Sequence, residues 1–263
     1  MAETARRDDG SLVVDRRHLP FTLDGGVAER AAIGLIVLAT DNTIEHEFRR
    51  TLALPGVGVY ESRILNDPEI NPTTLARMAE RMREAAGLIL PGAALDVIAY
   101  ACTSGALVIG EERVAARIRE ARPGIAVTTP MGAALAGLKA LGARRIALLT
   151  PYVETVNAMM RSHIEDRGIA VPVMGSFNHE NDLEVARIAP ASIAEAACEL
   201  GRHEAVDAVF IACTSLRLVD FVDHLEAELG KPVTSSNHAL AWHCLRLAGI
   251  ADPVPGFGRL FRL

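Results

Sequence analysis

The tetrapeptide Ala-Cys-Thr-Ser occurs twice in this chain, as Ala101-Cys102-Thr103-Ser104 and as Ala212-Cys213-Thr214-Ser215, with the cysteines 111 residues apart. A cysteine thiolate attacks carbon and also accepts a proton. Each copy ends an apolar run, 96–101 or 207–212, of the kind that forms a buried strand of a parallel sheet. Each thiol is thus expected at a strand's carboxyl end, where open α/β sheets bind ligands. Two hydroxyl residues and a helical pattern follow, so free backbone N–H groups should gather beside the sulfur and lower its pKa. A lone free cysteine is commonly a small buried hydrophobe; the repeated context argues for a pair that faces across one cleft. Cys198 and Cys244 sit at apolar helix spacing and read as core.

Hydroxyls and amides surround this pair in sequence. Thr103, Ser104, Thr214 and Ser215 are placed to cap helices, to cradle a carboxylate, or both. Tyr152, after Thr150-Pro151, is one of three tyrosines and could donate its phenol to a carboxylate. Asp41 and Asn42 follow the first strand and would share the cleft mouth, with helix capping as the alternative role. Asn178, His179, Asn181 and Asp182 form a polar loop, of which Asn181 is the residue expected at the substrate. Ser235 to His238 reads as a helix cap with a solvated start.

The elements that must position these groups alternate. Strands are expected at 32–39, 57–64, 96–101 and 125–128, and again at 145–150, 171–175, 207–212 and 232–236. Helices fall between them, near 44–52, 71–86, 111–120, 130–141, 154–167, 191–201, from Cys213 to 229, and 238–247. Such alternation implies an α/β fold with mainly parallel sheets. Ile33 and Ile146, in the first strands of the two halves, are 113 residues apart, close to the cysteine spacing, which predicts an internal duplication. The expected organisation is an N-terminal extension at 1–30, one lobe from 31–128 plus 235–263, and a second lobe at 129–234, with the site between lobes.

Composition narrows the class. The net charge is −6, without a long basic run and with 4% aromatics, which argues against nucleic acid as a partner. Four cysteines in 263 residues do not make a disulfide framework and suit a reducing cytoplasm. No apolar run is long enough to span a bilayer, and the first ten residues are not a secretory signal. No dinucleotide fingerprint, phosphate loop or zinc spacing occurs, so neither metal nor organic cofactor is expected. The expected assembly is a homo-oligomer, dimer or tetramer.

With these residues in place, the chain resembles the aspartate/glutamate racemase superfamily. It is most similar to the branch of maleate cis-trans isomerases, arylmalonate decarboxylases and related ectoine-utilisation proteins. The matching stretches are Gly34-Leu35-Ile36-Val37 with Thr43-Ile44-Glu45-His46-Glu47, both Cys-Thr-Ser segments, Thr150-Pro151-Tyr152, Ser235-Ser236-Asn237 through Trp242 and Leu245-Arg246, and Pro255-Gly256-Phe257-Gly258-Arg259-Leu260. They cover about residues 30–263. The resemblance implies two pseudosymmetric lobes, Cys102 acting on the substrate's α-carbon, and Cys213 as its acid/base partner. It implies that Thr103, Ser104 and Tyr152 hold a carboxylate. Arylmalonate decarboxylases lack the first cysteine, which this chain has. Maleate isomerases place an asparagine after the first strand; here Asp41 stands there, beside Asn42. An acid at that place repels a substrate carboxylate unless it meets a substrate amine or is protonated. The expected activity is a cofactor-independent isomerase or racemase of a small carboxylic acid, maleate-like or amino-acid-like. The alternatives are an arylmalonate-type decarboxylase and a redox protein with a Cys102–Cys213 disulfide.

Overall fold

The computed structural model describes residues 3–6, 12–15, 18–67, 71–179 and 181–263. Two short strands, β1 (Glu3–Arg6) and β2 (Leu12–Asp15), pair antiparallel ahead of the main body. Residues 18–29 then run without helix or strand, and Phe21, Leu23 and Val27 are exposed.

The first sheet contains β3 (Ala31–Leu38), β4 (Val57–Ile64), β5 (Val97–Ala101) and β6 (Ala126–Thr128), in the order β4-β3-β5-β6. The second contains β7 (Arg145–Thr150), β8 (Ala170–Ser176), β9 (Ala208–Ile211) and β10 (Val233–Ser235), in the order β8-β7-β9-β10. All pairs within both sheets are parallel. Each half therefore repeats one winding, with its second strand outermost and its first and third strands central. The cysteines follow β5 and β9, the equivalent strands, which gives the duplicated tetrapeptide its structural meaning.

The central strands are apolar along their whole length because both faces are covered. Every residue of β3, β5 and β9 is buried. Gly34 is required for close strand and helix approach: a Cβ there would sit 2.9 Å from Ile98 Cγ1 and 3.3 Å from Ile89 Cδ1. The covering helices are amphipathic. Helix α1 (Ile44–Thr51) buries Ile44, Glu47, Phe48 and Thr51.

Several helices differ from the periodicity. The segment at 71–88 is broken into α2 (Pro72–Ala76), a 3-10 turn at 77–81, and α3 (Met82–Leu88). Asn71 caps it with a capping box to Thr74. A helix the periodicity did not separate, α4 (Thr103–Ile109), starts immediately after Cys102. Gly110, at φ 88°, turns the chain from it into α5 (Glu111–Arg119). After Cys213, by contrast, no helix follows at once: 214–221 is a run of turns, and the next helix spans Val222–Leu229.

In the second half, α6 (Pro130–Ala140), α7 (Glu154–Glu165), the short α8 (Asp182–Val185) and α9 (Pro190–Gly201) precede that Val222–Leu229 helix, α10. The last helix, α11 (Ser236–Leu247), packs against α6, α1, β5, β6 and β10, and so ties both halves together. Its start is not solvated, as the polar Ser-Ser-Asn-His run suggested. Ser235, Ser236, Asn237 and His238 are all buried where the halves meet. Among the described residues no helix is long and apolar enough to cross a membrane.

Candidate active site

Cys102 and Cys213 line one cavity, together with Leu38, Asn66, Asp67, Thr74, Leu75, Met78, Thr103, Ser104, Tyr152, Asp182 and Thr214. The cavity holds about 20 Å³ of free space. That is room for roughly one water molecule.

Cys102 sits at the N-cap of α4, in extended conformation, and its Sγ accepts the Gly105 N–H at 3.2 Å. The Ser104 Oγ lies 3.9 Å from the same sulfur. Gly105 is needed here, because an added Cβ would come within 2.8 Å of Cys102 Sγ. Cys213 is held differently. Its φ is 121°, in the region that favours glycine, and its Sγ accepts the Ser215 N–H at 3.4 Å. Its backbone N–H donates to Ser236 Oγ at 3.0 Å. The first thiol thus stands at a helix start and the second in a strained turn.

Both thiols are free. Their acidity is not raised as the sequence suggested. Burial pushes each up to about 12, with the Asp182 charge pushing the same way. The donors from Gly105 and Ser215 oppose this without overcoming it. Burial thus favours the neutral form of both thiols.

Thr103, Ser104, Tyr152 and Thr214 are brought to the cavity wall as expected. Thr103, however, donates its hydroxyl to Ser236 Oγ at 2.8 Å, so that proton is committed within the protein. The Tyr152 phenol lies beside Cys213, Cys102 and Ser104, and burial holds it well above its ordinary pKa.

Asp41 is buried but stands off the wall. Its Oδ1 caps α1, accepting from Thr43 N at 2.8 Å and Ile44 N at 2.9 Å. Burial lifts its carboxyl to about 6, with Thr214, a wall residue, beside it. Asn42 is exposed and away from the cavity, because Asp41 rather than Asn42 turns inward to cap. Asn181 also spends its side chain on capping, accepting from Leu183 N and Glu184 N at the start of α8. Ser215 lies behind the wall and donates to Asp182 Oδ1 at 2.7 Å.

Sequence reasoning did not assign Asn66, Asp67, Asp182 or Glu47 to the site. Asn66 and Asp67 follow β4 as Asp41 follows β3, so strand-end position was the available signal. Asp182 is the wall residue of the polar loop from which Asn181 was chosen. Glu47 lies one layer out. Its carboxylate accepts from Leu218 N at 2.6 Å, Val219 N at 3.0 Å and Asn237 Nδ2 at 2.8 Å, holding the turn that follows Cys213. Among the described residues, no group of three or more His, Cys, Asp or Glu is placed to hold a metal ion.

Known proteins are similar to this chain over most of its length. The arylmalonate decarboxylase family model matches residues 33–261. The maleate isomerase of Nocardia farcinica is 32% identical over 240 residues, covering 88% of this chain and 95% of that protein. The arylmalonate decarboxylase of Bordetella bronchiseptica is 33% identical over 180 residues, 67% of this chain and 71% of that protein. In three dimensions, a cysteine-to-serine variant of the Nocardia farcinica maleate cis-trans isomerase, carrying a covalently bound succinylcysteine intermediate, superposes with a TM-score of 0.80. It is 30% identical and covers 88% of this chain and 98% of that one. The chain belongs to the arylmalonate decarboxylase family, in the maleate isomerase branch of the aspartate/glutamate racemase superfamily.

Proposed function

We propose that this protein is a cofactor-independent isomerase of a small carboxylic acid, working through Cys102 and Cys213. The observation that carries the reading is the meeting of both thiols at one cavity with Tyr152 and Ser104. Cys102 is the nucleophile because it stands at the start of α4, where backbone N–H groups lack helical partners.

On an unsaturated acid, Cys102 Sγ forms a bond to one alkene carbon. The π pair moves to the neighbouring carbon and into its carboxylate. Cys213 delivers its proton to that carbon and takes up the proton leaving Cys102. The carbon–carbon single bond rotates, and the same steps run backwards to release the other isomer. From maleate this addition would give a succinylcysteine, the adduct carried by the Nocardia relative. On a saturated acid the same pair would racemise: one thiolate removes the α-proton and the opposite thiol returns one to the other face. In this reading the Tyr152 phenol, the Ser104 hydroxyl and the N–H groups that open α4 hold the carboxylate that takes up charge. Neutral thiols at rest fit both routes, because proton loss then accompanies substrate binding or bond formation.

A proton-NMR screen in heavy water, with maleate, D- and L-aspartate and D- and L-glutamate, tests the reading. Isomerisation, or deuterium uptake at the α-carbon, supports it. Release of carbon dioxide from an arylmalonate, with neither of those, would assign the decarboxylase alternative.

A further inference from the structure

Among the described residues, the acidic side chains of Asp67 and Asp182 line the cavity and no Lys, Arg or His does. Arg77 and Arg81 line an outer depression that shares Asn66, Asp67 and Thr74 with the cavity.

Asp182 is the inner of the two acids and is 5% exposed. Its Oδ1 accepts the Ser215 hydroxyl at 2.7 Å and its Oδ2 accepts the Thr40 hydroxyl at 2.5 Å. A carboxylate has about four acceptor positions, so two remain, and among the described residues no cation pairs with it. Two other buried acids of this chain have more polar partners than Asp182 does. Glu47 accepts two backbone N–H groups and an amide. Glu226 accepts from Val233 N and Arg259 N and lies 3.9 Å from the Arg259 guanidinium. Buried charges are ordinarily paired. Asp182 lines the cavity that holds both thiols.

Resting on the isomerase reading, we propose that the substrate carries a protonated amine next to its reacting carbon, and that Asp182 is the specificity-determining residue that receives it. The substrate class is then a small amino acid or an amino-substituted unsaturated acid. Any carboxylate remote from the amine has Arg77 and Arg81 as basic partners at the mouth. The pairing also supplies what the resting thiols lack. Asp182 is one of the charges that disfavour ionisation of both Cys102 and Cys213. An ammonium seated on it cancels that charge, so the substrate itself promotes the thiolate.

The test compares ligands that differ only in the amine: aspartate with succinate, and glutamate with glutarate, titrated calorimetrically into the purified wild-type protein. At least one amino member should bind ten-fold or more tightly than its partner. Asp182→Asn should bring that ratio to about one, and Asp182→Glu should keep part of it. Wild-type protein that binds neither amino acid, or binds the unaminated partners equally well or better, overturns the proposal even if the variant fails to fold. An unchanged ratio in Asp182→Asn overturns the assignment of Asp182. Binding is read without turnover, so Cys102→Ser should keep the amine preference. The preference would then stand even if the heavy-water screen showed no isomerisation, and isomerisation of maleate without any preference would leave only the isomerase reading.

Discussion

The backbone N–H of Cys213 ends on the hydroxyl oxygen of Ser236, 3.0 Å away, and the same oxygen receives the Thr103 hydroxyl at 2.8 Å. One serine at the start of α11 thus fixes the segments that follow both cysteines. Ser236→Ala leaves the buried Cys213 N–H without a partner. The expected cost is about 1–3 kcal/mol, read from the denaturant midpoint, together with a loss of turnover. An unchanged midpoint would show that the bond carries no weight.

Cys213 adopts φ 121°. A non-glycine residue held in such a region stores about 1–3 kcal/mol. Glycine ordinarily destabilises relative to alanine. Here the order should invert: Cys213→Gly is expected to unfold at a higher midpoint than Cys213→Ala, with both variants inactive. Alanine proving the more stable would mean that the turn relaxes at no cost.

The two thiols should fail in different ways. In cis-trans isomerisation, Cys102→Ser loses adduct formation and turnover together. Cys213→Ser retains the nucleophile but not the proton donor, and should accumulate a covalent adduct on Cys102, seen as a mass increase equal to the substrate. In racemisation, each variant should still exchange the α-proton of one enantiomer. Full turnover in both variants would remove the thiols from the mechanism.

Labelling with iodoacetamide at pH 7 should be slow at Cys102 and Cys213, because burial pushes both up to about 12. Cys198, which lines a surface depression with Arg202, His224 and Glu228, should label first. Labelling of the cavity pair should rise with pH in the alkaline range. Fast labelling of Cys102 at neutral pH would show that the α4 N–H groups outweigh burial.

His238 is fully buried and pushed down to about 4 from an ordinary 6.5. Its Nδ1 meets Thr234 Oγ1 at 2.9 Å and its Nε2 meets the Phe257 carbonyl at 2.8 Å, which suits a neutral ring that donates from Nε2. Between pH 4 and 6.5 the unfolded chain binds more protons than the folded one at this group. Its contribution is therefore complete above pH 6.5 and is lost as pH falls toward 4. The stability difference between wild type and His238→Gln should shrink by up to about 3 kcal/mol over that window. A difference that does not vary with pH would show that the ring titrates alike in the folded and unfolded chain.

The sequence alone determined the winding. Uniformly apolar runs such as 96–101 mark strands covered on both faces, and their alternation with amphipathic stretches leaves parallel sheets as the solution. The repeated Ala-Cys-Thr-Ser placed both cysteines on equivalent strands. Residues two or three places beyond a strand end, Thr103, Ser104, Tyr152 and Thr214, were legible for that reason. Tertiary structure decided what local pattern does not encode. Whether Asp41 or Asn42 turns inward depends on which side chain caps α1. Whether Asn181 or Asp182 reaches the wall depends on which one the first turn of α8 directs at Ser215 and Thr40. The burial of His238 follows from α11 crossing back over both halves. The acidity of the thiols was misjudged from sequence because local donors are visible there and desolvation is not: burial is a sum over chain segments far apart in sequence, and only the folded molecule brings them together.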